Sequence, residues 1–386
     1  MESAAEFLLD QISSTNIHGI FLTGSFSIEE GSVVFGSGGP LILSDVDLVV
    51  VFESLDAFVR YYPRRVELGE ACERLLPEAR FSGRVEIGML VPDSMRKLPP
   101  SPGVYNMKRH ARILHGGPEI LDPIPSYEMA DISGGEGVIL LENRMAPLCA
   151  AAVPAPEAEK EDRYTFLYNI SKVYTDIAAA ATCLSASYLP RYRGRAEYLA
   201  RSARGDNGGI GIDDDLLGRI ERWTRFKLSP SEEALEADGG VLSSPGQIWM
   251  EAAADVIAFW KRGAAQLMGI PNERATSHSA RALLNWRPPG STIGHLRSWK
   301  IYLSRYELKR RIAIAAGLGA RLTRNDPLDI IRQAAILLLE QACENNTSCG
   351  VAAPPGRFPH AGGAWRVAAG ETYDRWSDFV FGRGVG

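Results

Sequence analysis

The stretch from Leu41 to Phe52 narrows most sharply what this chain can fold into. It is apolar, rich in β-branched residues and free of Gly and Pro, the composition of a buried strand, yet Asp45 and Asp47 interrupt it. Side chains alternate across a strand, so the two aspartates share one face about 7 Å apart, and Val46, Leu48 and Val50 take the other. Two acids on one face of an apolar strand repel each other and lose solvation, which is costly unless a cation or a base neutralises them. A hard divalent cation such as magnesium, which favours oxygen ligands and phosphate partners, meets that need.

A second apolar run, His18 to Thr23, ends at Gly24-Ser25. Glycine allows close backbone approach, and the residues beside it offer N–H and hydroxyl donors to phosphate oxygens. Taken singly, a Gly-Ser is a common turn and an Asp-x-Asp is commonly a solvated strand end. Their occurrence together, in this order and strand context, is what points to chemistry.

The Gly24-Ser25 turn, the Ser44-Asp45-Val46-Asp47 strand and a later acid-bearing strand, Arg84 to Leu90, together resemble the nucleotidyltransferase superfamily. That superfamily includes DNA polymerase β, CCA-adding enzymes, antibiotic nucleotidyltransferases and cyclic-nucleotide synthases. The resemblance implies an α+β fold, in which a mixed-sheet catalytic domain (residues 1–137) precedes a mainly α-helical domain (138–344); the Gly, Pro and aromatic content of residues 345–386, with Trp365 and Trp376, suggests a C-terminal extension packing on the body. The resemblance also implies Asp45, Asp47 and Glu86 as catalytic and metal-ligating acids. Gly24, Ser25 and Ser44 would contact the nucleotide, and Lys172, on a regular helix after a polar linker, would reach the triphosphate. The implied cofactor is Mg2+, two ions, with Mn2+ as a substitute. The implied partners are a nucleoside triphosphate, ATP first, and a small-molecule acceptor whose hydroxyl receives the nucleotide as pyrophosphate leaves. Nucleotidylation of a protein or RNA, synthesis of an oligonucleotide signal, and a catalytically weak nucleotide-binding regulator remain as alternatives.

The chain departs from many members of that superfamily in its spacing. Nineteen residues separate Ser25 from Asp45, roughly twice the usual interval. Ser32 to Phe35 and Leu41 to Leu43 flank Gly36-Ser37-Gly38-Gly39-Pro40, which predicts a β-hairpin whose second arm runs on into the Asp45 strand. Glu29-Glu30-Gly31 resembles the Gly-Glu-Gly element of a bacterial subgroup with similar insertions. The basic residue that often follows the Gly-Ser turn is replaced here by Ser27 and Ile28.

Elsewhere the pattern predicts a helix over residues 2–14, a helical region from Leu55 to Leu76 broken at Pro63, and helical structure from Val138 onward. His110 and His115 read as general bases or as packed histidines. Residues 295–324 hold eight Lys or Arg against one acid, a strip suited to guiding a polyanion or simply a solvated face. A formal net charge of −5 argues against a general polyanion-binding surface, so nucleic acid is not the expected partner. The odd number of scattered cysteines, five, suggests reduced thiols in a cytoplasmic protein. The acidic start and the lack of a long apolar run predict neither export nor membrane insertion.

Overall fold

A computed structural model describes residues 1–36, 38–75, 79–151, 158–203, 212–231, 233–236, 244–270, 327–347, 368–369 and 371–374. The basic strip 295–324 and nearly all of the extension 345–386 lie outside the described residues. The fold is α+β with mixed sheets, and the chain divides into two compact units. Unit 1 comprises residues 1–136 and 159–242, and unit 2 comprises 137–158 and 243–386. One cut falls beside the division expected at 137, while the helices of 159–242 group with the sheet.

Unit 1 begins with α1 (Glu2–Ile12), which leads into β1 (Ile17–Thr23) and the short α2 (Gly24–Ser27). β2 (Val33–Val34) and β3 (Leu41–Ile42) then form the expected hairpin, with Val33 opposite Ile42 and Val34 opposite Leu41. β4 (Val46–Phe52) follows, then α3 (Leu55–Tyr61) and α4 (Arg65–Glu73). Between these two helices Pro63 lies in a 3-10 turn, so the break falls where proline removes an amide donor. Then come β5 (Arg80–Phe81), β6 (Val85–Leu90), α5 (Pro92–Met95), α6 (Pro102–His110) and β7 (Arg112–His115).

The main sheet has the order β6-β4-β1-β7, with β4 parallel to β6 and antiparallel to β1. Its two faces carry separate apolar clusters. Ile20, Leu22, Leu48 and Val50 pack with Leu8 and Ile12 of α1 and Leu68 of α4. Phe21, Val49 and Val51 pack with Met95, Val104, Ile120 and Ile124. This alternation is the period-two pattern of a strand buried on both sides.

One expectation fails. The stretch from Leu41 to Phe52 is not one strand, because Leu43 to Asp45 separates β3 from β4 and the two belong to different sheets. β3 instead runs parallel to β5 beside the hairpin. Contacts remote in sequence cause the break: the Ser44 hydroxyl accepts a hydrogen bond from the Ser32 amide at 2.8 Å, and the Ser44 carbonyl occupies the space a Cβ on Gly83 would need.

Three long helices complete unit 1. α7 (Gly134–Ala150) leads out of it, and α8 (Lys160–Leu184), α9 (Tyr192–Ala203) and α10 (Asp214–Leu228) return to it, followed by the short α11 (Glu233–Glu236). α8 and α10 pack through aromatic pairs: Tyr174 stacks on Trp223 at 5.9 Å, and Tyr164 on Phe226 at 6.2 Å. α8 is also tied to β5 and the turn after it, since Arg80 donates to Glu161 at 2.9 Å and the Ser82 and Thr165 hydroxyls lie 2.7 Å apart.

Unit 2 contains most of α7 with α12 (Pro245–Met268) and α13 (Pro327–Thr347). Trp249 and Trp260 of α12 are fully buried, and their indole N–H groups donate to the Leu148 carbonyl at 2.9 Å and to Glu142 at 3.3 Å. Those bonds satisfy the polar atoms that two buried indoles bring into a core. Among the described residues, no helix is long and apolar enough to cross a membrane. Cys72, Cys149, Cys183 and Cys343 are free thiols.

Candidate functional site

The site is built where β1 ends and β4 begins. Antiparallel pairing sets Thr23 opposite Asp47, so the turn that follows Thr23 folds directly against the Asp47 side chain. Gly24 has φ +69°, and a Cβ on it would run into Asp47 Oδ2. Only glycine satisfies both requirements. Ser25 is half-buried, and its carbonyl accepts the Glu30 amide at 2.9 Å. The Ser27 hydroxyl closes the turn onto the Gly24 carbonyl at 2.9 Å.

Parallel pairing of β4 with β6 sets Glu86 level with Asp47. Cα partners in neighbouring strands project to the same face, so the two carboxyl groups are neighbours on the sheet. Burial, and secondarily Asp45, pushes the Asp47 pKa up to about 7. Burial, then Asp45 and Asp47, pushes Glu86 up to about 8. Lys172 and Lys227 oppose the rise at Asp47, and Lys172 and Arg84 oppose it at Glu86. These cations do not offset the cost of burial.

Asp45 stands differently. It precedes the first ladder pair of β4, so no sheet register fixes it. Its Oδ2 instead accepts from Lys172 Nζ of α8 at 2.9 Å, with Asp45 and Lys172 both mostly covered. Lys172 also lies 5.2 Å from the centre of the Tyr168 ring, one turn earlier on α8.

Ser44, expected at the nucleotide, lies in the interior. It has no exposed surface, and its hydroxyl is surrounded by the Ser32 amide, the Tyr168 hydroxyl at 3.2 Å and Lys227 Nζ at 2.8 Å. In this arrangement it braces the chain next to Asp45. His110 ends α6 beside Tyr105, where burial, then Arg191 and Arg109, lowers its pKa, while His115 pairs with Ile20 at the far edge of β1.

Sequence reasoning missed Lys227. It falls on the buried stripe of α10 with Ile220, Trp223 and Thr224, and a lysine at the 3.6-residue period of such a stripe was the available signal. Glu30 was seen only as part of a short motif. It is buried, and its carboxylate accepts the Tyr192 amide at the start of α9 at 2.6 Å.

Among the described residues, no group of three or more His, Cys, Asp or Glu side chains is gathered tightly enough to hold a metal unaided. The donor set nevertheless suits a hard divalent ion, since Asp45, Asp47 and Glu86 are all oxygen donors, and burial, then neighbouring acids, makes the charged forms of Asp47 and Glu86 costly without a cation. Magnesium typically takes one or two carboxylates and completes its shell with water and substrate phosphates, so an incomplete protein cage is consistent with it. Compared with protein-family models, with curated proteins and with solved structures, the chain gave no match.

Proposed function

We propose that unit 1 is a metal-dependent nucleotidyltransferase that moves a nucleoside monophosphate from a triphosphate, ATP first, to a hydroxyl of a small molecule with release of pyrophosphate. The observation that carries this reading is the side-by-side placement of Asp47 and Glu86 on paired strands, with the Gly24 backbone pressed against Asp47.

In this reading the Gly24-Ser25 turn approaches the triphosphate, because a glycine backbone admits phosphate oxygens where a side chain would block them. Asp45, Asp47 and Glu86 would hold two Mg2+ ions, Mn2+ being a substitute. When bound, these ions offset charge on the departing pyrophosphate and lower the pKa of the acceptor hydroxyl. Lys172, which donates to Asp45, would turn its ammonium toward phosphate, exchanging one oxygen anion for another. Glu86 and Asp47, both inclined by burial to keep a proton, would bind such cations in their ionised forms, so that loading would be coupled to proton loss. Catalysis then rests on placement and charge neutralisation, with no protein nucleophile.

The test is pyrophosphate release with each of the four triphosphates across a panel of hydroxyl acceptors. Asp47→Asn keeps the shape of the side chain and removes its charge, so turnover is expected to fall at least about a hundredfold while the fold persists. Turnover at the wild-type rate in that variant sinks the assignment. The Lys172–Asp45 ion pair also fits a nucleotide-binding regulator with little turnover. Thermal stabilisation by nucleotide without pyrophosphate release from any acceptor would select that reading.

A further inference from the structure

Lys227 is 1% exposed, a rare state for a lysine, because a buried ammonium is costly unless its donors are used. Its Nζ donates to Ser32 Oγ at 3.0 Å and to Ser44 Oγ at 2.8 Å, and the Tyr168 and Tyr192 rings lie at 4.8 and 5.1 Å. The Ser32 hydroxyl in turn donates to the Lys227 carbonyl. Lys227 also stands in the last turn of α10, where the helix dipole favours a cation.

The two serines bound by this ammonium are the two ends of the inserted hairpin. They are already cross-tied, for the Ser32 amide donates to Ser44 Oγ, and the amides of Leu43 and Ser44 donate to the Ser32 carbonyl at 3.0 and 3.3 Å. Lys227 therefore clamps the neck of the insertion at the place where β3 has ended and β4 has not begun. Asp45 is the next residue. Asp47 and Glu86 are fixed by sheet register, whereas Asp45 precedes the first ladder pair and is held by Lys172 and through its neighbour Ser44.

We infer that Lys227 is a positioning residue: through Ser44 it fixes the direction of the Asp45 carboxylate, linking α10 to the acid cluster across the hairpin neck. The inference rests on the nucleotidyl-transfer reading for its kinetic arm alone. The physical expectation is a split effect. A catalytic group misplaced by about 1 Å can cost on the order of a hundredfold in rate, whereas triphosphate contacts elsewhere persist.

The test uses the full chain and two variants, Lys227→Met and Ser44→Ala, with two readouts. Amide hydrogen exchange at Ser44, Asp45 and Val46 is expected to quicken by about tenfold or more in both variants, while the β1 and β4 core amides stay protected. In pyrophosphate release, kcat is expected to fall roughly a hundredfold with KM for the triphosphate within about threefold, and the double variant to be no worse than either single one. Unchanged exchange at residues 44–46 in a folded variant overturns the inference, as does an unchanged kcat or a double variant whose losses multiply. If Lys227→Met does not fold, Ser44→Ala decides by the same criteria. If the wild-type chain turns over no triphosphate, the nucleotidyl-transfer reading falls, and the exchange result still decides whether Lys227 positions Asp45.

Discussion

Asp47 and Glu86 each sit among groups that oppose their ionisation, and the consequence is a pH dependence of stability with a definite sign. Their folded-state pKa values, about 7 and about 8, lie above the values near 4 of an unfolded chain. Between about pH 4 and pH 8 the folded chain therefore keeps protons that the unfolded chain has released, and stability falls as pH rises through that window. Asp47→Asn or Glu86→Gln removes the penalty, so each variant is expected to exceed the wild type near pH 9 by roughly 2–4 kcal/mol and to differ little near pH 4. The double variant should gain less than the sum, because Asp47 is one of the charges that raise Glu86. Urea unfolding across that range checks this, and parallel wild-type and variant profiles would exclude it. Asp47 was legible in the sequence because strand alternation assigns it a face, and Glu86 because the resemblance called for an acid on a later strand. Lys227 offered only its place on the buried stripe of α10, and its partners were not legible, since the two serines lie 183 and 195 positions earlier.

At the scale of elements, the insertion between α2 and β4 does more than lengthen a connection. Its hairpin was readable from the Gly-Pro turn between two short apolar arms, and it forms as read. The break at Leu43 to Asp45 was not readable, because those residues continue a strand pattern and only the distant partners of Ser44 end it. The same insertion reaches the helices at a second point, where Glu30 caps the start of α9. A helix leaves its first amides without internal partners, and a carboxylate there satisfies one and complements the dipole. Glu30 is buried, so Glu30→Ala removes the acceptor of the Tyr192 amide from a part-buried site. That variant is expected to lose about 1–3 kcal/mol in urea unfolding. A loss within a few tenths of that scale's lower noise, comparable to a surface substitution, would show that the cap is dispensable.

For the whole molecule, the informative property is that both compact units are discontinuous in sequence. Reading along the chain places a boundary where strands give way to helices, near residue 137. Packing follows a different rule, burying apolar faces against whichever segment covers them. Thus α8, α9 and α10 join the sheet, and α8 brings both Lys172 and the Tyr168 ring to the acids, while α7 pairs its Glu142 and Leu148 with the tryptophans of α12. A fragment of residues 1–136 alone would expose Ser32 and Ser44 where Lys227 and Tyr168 now enclose them, and would leave Asp45 without Lys172. It is expected to unfold without a sharp transition. A chain of residues 1–136 and 159–242 joined by a short flexible linker in place of 137–158 carries every contact of unit 1 just named. It is expected to unfold cooperatively, because two-state melting requires an uninterrupted core and not an uninterrupted sequence. Calorimetry of the two shortened chains separates the outcomes. A cooperative transition in the shorter one would mean that the sheet with α1 to α6 is a self-sufficient core, and that α8 to α10 serve the site without serving its stability.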